Sequence, residues 1–194
     1  MRVPSRFLLS VAGALVFGLL AGLVHGDQGG LRAAFGNLSA PWLLVALVPA
    51  WWVGSAVRGA VLGTTATIVA LVGFYIGFTA TMYGHLGEIH GVVHSFEGVL
   101  QANQIWFTAG LMSGPVCGAI SGFLGARLGT DWLAAALGVL LVGEIVVIRA
   151  VQSLELPLLH VRWGVSDWRG YEVELTLGLL LLAALLVRRL RDVR

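Results

Sequence analysis

Six long apolar runs occupy most of this 194-residue chain, and they constrain its fold more than any motif does. A transmembrane helix needs about 20 consecutive, mostly apolar residues. Runs of that kind are predicted at about 7–24, 41–57, 59–83, 105–126, 132–151 and 173–187. Only 11% of the residues are charged, against roughly 25% in an ordinary soluble domain, so a soluble globule would lack the polar residues to cover itself. Intrinsic disorder requires low hydrophobicity and high charge, the opposite of this composition. The lone cysteine, Cys117, excludes a disulfide scaffold. The expected fold is all-α: one domain over residues 1–194, an integral membrane bundle of six transmembrane helices.

The second and third runs are separated only by Arg58. A continuous helix over 41–83 would be roughly 65 Å long, about twice the thickness of the hydrocarbon core. The chain is therefore expected to turn near Ser55–Arg58. The first run has some features of a secretory signal, with Arg2 and Arg6 ahead of it and Val24-His25-Gly26 as a weak cleavage site. It is long for that role and is read as a retained helix.

Arginine placement sets the orientation. All 12 basic residues are Arg. With the N-terminus in the cytoplasm, the inner side carries Arg2, Arg6, Arg58, Arg127, Arg188, Arg189, Arg191 and Arg194. The outer loops carry Arg32, Arg162 and Arg169, and Arg149 lies near an outer helix end. The positive-inside bias then places both termini in the cytoplasm and the protein in the plasma membrane as a multi-pass protein. The C-terminal arginines read as a stop-transfer anchor. Membrane lipid is the expected partner. Nucleic acid is not, because no basic cluster is interleaved with aromatics. The five histidines (His25, His85, His90, His94 and His160) all fall on the outer side. So do Asp27, Glu88, Glu97, Glu155, Asp167, Glu172 and Glu174. A solute handled by such a protein is met from outside.

Glycine is abundant, 27 residues, and its placement is regular. Gly110, Gly114, Gly118 and Gly122 recur every four residues on the fourth run, which lets another helix approach closely. Pro115 interrupts the backbone hydrogen bonding there and predicts a kink or local opening. Ser113 and Ser121 are at hand to satisfy freed groups. Ala14, Gly18 and Gly22 on the first run form a similar face, as do Gly59/Gly63 and Gly73/Gly77 on the third. Such faces serve packing within the chain or contact with another membrane protein.

Polar residues in apolar surroundings mark the candidate sites. On a helical wheel, His90, His94, Glu97 and Gln101 share one arc, and Gln104 and Thr108 continue it into the fourth run. Three readings stay open for this stripe: a solvated face, the lining of a solute pocket, or a metal site. His90, His94 and Glu97 have the spacing of a transition-metal face, although no HExxH motif is present. No cofactor is otherwise expected. Glu144 lies about 18 Å along the fifth run from Trp132, at a depth where a carboxyl group faces the bundle interior or a cavity. Its helix offers it no local partner. Tyr75, Thr79 and Tyr83 on the third run and Gln104 and Thr108 on the fourth are the candidates. Arg149 either snorkels to the interface or meets an anionic ligand group. The seven tryptophans read mainly as an interfacial belt.

The segments Asn37 to Ala46, Arg58 to Gly63, Gly73 to Tyr75, Gly114 to Ala119 and Gly143-Glu144 resemble a family of small bacterial polytopic membrane proteins of unknown function. The resemblance covers roughly residues 10–150 and implies a compact bundle without supplying an activity. A looser architectural likeness is to the substrate-capture subunits of energy-coupling-factor transporters. Those proteins have six helices, termini inside, an outward pocket, and a small-residue face on the first helix for their partner, where this chain has Ala14, Gly18 and Gly22.

Three functions follow from these features. The first is a small-solute-binding or transport component, its outward pocket lined by Tyr83, Gln101, Gln104, Thr108, Glu144 and Arg149. The second is an accessory or assembly protein acting through its glycine faces. The third is a metal-dependent intramembrane enzyme using His90, His94 and Glu97. No GxSxG, Walker loop, CxxC or catalytic carboxylate pair favours an enzyme.

Overall fold

The computed structural model describes residues 3–25, 38–83, 97–98, 100–101, 104–153 and 168–192. Among them are six main helices: α1 (Val3–His25), α2 (Ala40–Trp51), α3 (Ala56–Tyr83), α4 (Gln104–Gly125), α5 (Thr130–Ser153) and α6 (Arg169–Asp192). Five are long and apolar enough to cross a membrane, and α2 is a shorter apolar helix. The long helices present side chains such as Leu8, Met112, Val146 and Leu180 on their outer faces. A soluble protein of this size does not carry so much apolar surface, and a lipid environment covers it. The chain is a membrane-embedded, multi-pass helical protein.

The expected second span is corrected by the structure. Helix α2 ends at Trp51, and the reversal is made by residues 52–55, ahead of the expected turn. Gly54 has φ +65, the left-handed conformation that glycine adopts without a Cβ penalty. With 12 residues, α2 is about 18 Å long, well short of a hydrocarbon core of about 30 Å. The sixth helix is longer than its apolar run. It begins at Arg169, which takes Glu172 into the helix, and Glu174, already within the expected run, falls in its second turn.

Glycines set which helices touch. Gly18 of α1 lies on the backbone of Ala70, and Gly22 on that of Phe74 and Phe78. In return Gly73 and Gly77 of α3 meet Leu15 and Leu19, so α1 and α3 run in parallel. The opposite side of α3 receives α4 in antiparallel fashion. Gly59 lies against Gly118 and Gly122, and Gly63 against Gly114 and Gly118. A Cβ added at Gly63 would stand 2.5 Å from the Gly114 carbonyl oxygen. Helix α2 lies in the angle between α3 and α4: Trp51 backs onto Gly125, and the Ser121 hydroxyl donates to the Leu47 carbonyl at 2.5 Å. These glycine faces of α1, α3 and α4 thus lie against other helices of this chain, on backbone except at Gly110, which meets the Leu71 and Thr67 side chains.

Helices α5 and α6 form an antiparallel pair, closed where Gly138 meets Leu182 and Gly178 meets Leu141. At the end holding residue 192, Asp131 pairs with Arg188 at 3.2 Å and Arg189 at 3.9 Å. This pair reaches the other four helices chiefly through α2. Toward the far end, Phe74, Phe78, Tyr75 and Phe107 form an aromatic layer, with Tyr75 stacked on Phe107 at 5.2 Å. His25 ends α1 against Phe74 and Phe78.

Backbone-to-backbone contact leaves no flexible side chain to yield. Gly118→Val is expected to cost roughly 1–3 kcal/mol or more, because its Cβ would meet the Gly59 carbonyl. Gly143→Ala should be neutral or stabilising by up to about 1 kcal/mol, since nothing lies within 4 Å. Thermal unfolding of both variants in detergent checks the contrast.

Candidate functional site

Glu144 ends its search for a partner at the start of α2. The first turn of a helix leaves N–H groups that no helical carbonyl accepts. In α2, Pro41 removes one of them. The N–H groups of Trp42 and Leu43 both reach the Ser39 carbonyl, at 3.1 and 3.2 Å. Two donors remain, on Ser39 and Ala40. The Ser39 N–H donates to Glu144 Oε1 at 2.6 Å and the Ala40 N–H to Oε2 at 2.6 Å. A carboxyl group of α5 thus caps a helix 104 residues away in sequence. The geometry is favourable twice over. Short hydrogen bonds to a carboxylate are stronger than neutral ones, and the helix N-terminus carries a partial positive charge.

Apolar contacts hold the cap in place. Leu38, Ile148 and Tyr171 form a buried cluster, with Ile145 and Trp168 packed against it. Trp168 meets Tyr171 at 5.7 Å between ring centroids, and the Arg149 guanidinium lies 3.8 Å above the Trp168 ring. That contact is a cation–π interaction. It takes Arg149 along the outside of the cluster, where the residue is exposed.

A second carboxyl group belongs to this centre. Glu174 of α6 is only 3% exposed, and neither of its carboxyl oxygens has a hydrogen-bond partner. It stands beside Glu144 and interacts with it directly, and Tyr171 lies within electrostatic reach of both. Two neighbouring carboxyl groups and the positive end of a helix therefore meet between α2, α5 and α6.

The polar stripe of α4 lies elsewhere. Glu97, Leu100, Gln101, Gln104, Phe107 and Thr108 line an open depression of about 510 Å³. It is a shallow recess with an apolar floor and amide and hydroxyl groups at its margin. The Thr108 hydroxyl donates to the Gln104 carbonyl at 3.0 Å. Glu144 and Arg149 are not among the lining residues: of the six residues expected to share one pocket, Gln101, Gln104 and Thr108 line this depression, whereas Glu144 caps α2 and Arg149 lies over Trp168. Tyr83 is the last residue of α3. His90 and His94 of the expected metal face lie outside the described residues, as do His85, Glu88 and His160. The glycines of α4 line its contact with α3, and Pro115 sits within the same continuous helix. Ser121 serves α2 and not the carbonyl freed by Pro115.

Two features escape the sequence reading. Glu144 was expected to meet a side chain of the third or fourth run, and it meets main-chain donors, which leave no residue-type signature. Glu174 reads as one more outer acid. A signal existed: Gly170, Glu174 and Gly178 recur every four residues, and all three are buried on one face of α6. A small residue one turn either side of an acid marks an acid that faces a neighbouring helix.

Removing the cap should be costly. Glu144→Ala leaves two N–H groups without acceptors in an apolar setting, at about 1–3 kcal/mol each, so a loss of roughly 2–6 kcal/mol is expected. Glu144→Gln keeps one acceptor and should lose less. Equilibrium unfolding in detergent and the exchange rates of the Ser39 and Ala40 amides measure the difference. Comparisons of the chain with protein-family models, with curated proteins and with solved structures found no match.

Proposed function

We propose that this protein is a small-solute-binding component of the membrane, and that solute enters the depression lined by Gln101, Gln104, Phe107 and Thr108. The supporting observation is that depression: at about 510 Å³ it is of a size that holds small organic ligands. Its lining mixes an aromatic and an aliphatic side chain with amides, a hydroxyl and a carboxyl group. That mixture suits a neutral or cationic solute with an apolar body. The nearest aromatic ring, Phe107, is braced by its stack on Tyr75.

In this reading all six helices belong to the membrane domain and both termini are cytoplasmic. The arginines support it. Arg6, Arg58, Arg127, Arg188, Arg189 and Arg191 belong to one end of the alternating helices, the pattern of a cytoplasmic face. The solute depression belongs to the opposite, outward end. No energy-supplying motif is present in the chain, so uptake through this component depends on a partner.

Native mass spectrometry of the detergent-purified protein tests the site. A small molecule that accompanies the wild type and is lost from Gln101→Ala/Gln104→Ala supports the reading. A wild type that carries no ligand, and gains no thermal stability from a panel of amines, amides and nucleosides, removes it. Orientation has its own test. A fluorescent protein fused after Arg194 should fluoresce, and alkaline phosphatase at the same position should be inactive. The reverse result inverts the topology.

A further inference from the structure

The pair Glu144 and Glu174 is not used by the solute depression, and its chemistry is unusual for a membrane helix bundle. Glu144 has spent both oxygens on Ser39 and Ala40. Glu174 presses a second carboxyl group into the same space, with both oxygens buried and neither supplied with a donor. Acceptor therefore faces acceptor.

Among the described residues, several groups around the pair can be named. From α2 come only the main-chain donors of Ser39 and Ala40. From α5 the charged neighbour is Arg149, and its guanidinium lies over the ring of Trp168. From α6 comes the phenol of Tyr171, with Glu172 exposed on another face of the helix. The partial charge of a helix N-terminus is about half an elementary charge. It offsets part of one carboxylate, and the second has no hydrogen-bond donor on either oxygen. Two like charges in contact and out of water do not both persist. The space is too tight for an organic cation or a hydrated metal ion, because each Glu174 oxygen is already enclosed.

We infer that Glu144 and Glu174 form a proton-binding site, in which one exchangeable proton is held between the two carboxyl groups at the start of α2. The bound proton turns Glu174 from acceptor into donor toward Glu144 and leaves Glu144 free to cap α2. The site joins α2, α5 and α6, and at it the α5–α6 pair makes a polar contact with the start of α2. Release of the proton would set two negative charges against each other across that junction. Occupancy by a proton is thereby linked to how firmly α5 and α6 dock.

Infrared difference spectroscopy of the wild-type protein in lipid vesicles reads the proton directly. The expected result is a protonated-carboxyl band at neutral pH that shifts in heavy water and on carbon-13 labelling of glutamate. The band should vanish in Glu174→Gln, persist in Glu172→Gln, and be unchanged by sodium or lithium chloride. Absence of any such band in the labelled wild type overturns the inference, whether or not a variant folds. Survival of the band in Glu174→Gln overturns the assignment to this pair. Loss of the band on adding sodium or lithium at constant pH overturns the identity of the ligand and makes the pair a metal-cation site. None of these outcomes depends on whether solute binds at the α4 depression.

Discussion

Main-chain donors that have no water to turn to govern this structure. A helix that crosses the whole apolar layer delivers its unpaired N–H groups to the interface, where water accepts them. Helix α2 does not, because its 12 residues cover only part of the thickness. Its open end must be closed from within the protein. Pro41 disposes of one donor, the Ser39 carbonyl takes two, and Glu144 takes the last two. The position of Glu144 on α5 is fixed by this requirement. The same cap is a polar tie between α5 and α2.

The remaining helices are joined on a different principle. In lipid, apolar side chains gain little by leaving one apolar environment for another, and association relies on close packing. Helix α3 is the common partner. It offers Gly73 and Gly77 to α1 on one side and Gly59 and Gly63 to α4 on the other, and each neighbour answers with small residues of its own. The α5–α6 pair sets Gly138 and Gly178 against leucine side chains. A tightly interlocked set of helices and a looser pair are thus held together by polar contact at a helix end.

Much of this was legible in the sequence. Helix number, the approximate spans and the glycine spacing follow from local composition and period, and local signals are what a sequence carries best. The reversal after α2 was expected a few residues late, because Ser55–Arg58 is the more polar stretch, whereas the backbone turns at Gly54, where a positive φ is needed. The depth of Glu144 identified it as a residue that needs a partner. Its partner was out of reach because main-chain N–H groups look the same at every position. Glu174, just inside the expected sixth run, counted as one more outer acid, and only its spacing from Gly170 and Gly178 sets it apart from the exposed Glu172. The pocket was expected to gather residues from the third, fourth and fifth runs. In the structure α4 and α5 present their polar residues to different places, and wheel arithmetic on single helices carries no information about which helices are neighbours.

The cap also has a consequence for biogenesis. A polypeptide emerges from the ribosome N-terminus first, and Glu144 follows Ser39 by 105 residues. During that interval α2 has no acceptor for its first donors inside the bilayer. Helices α1, α3 and α4 carry their packing surfaces within themselves and can assemble as they are made. The cap of α2 closes only once α5 has been made. The contact that ties the second helix to the fifth is accordingly out of reach until most of the chain has been made.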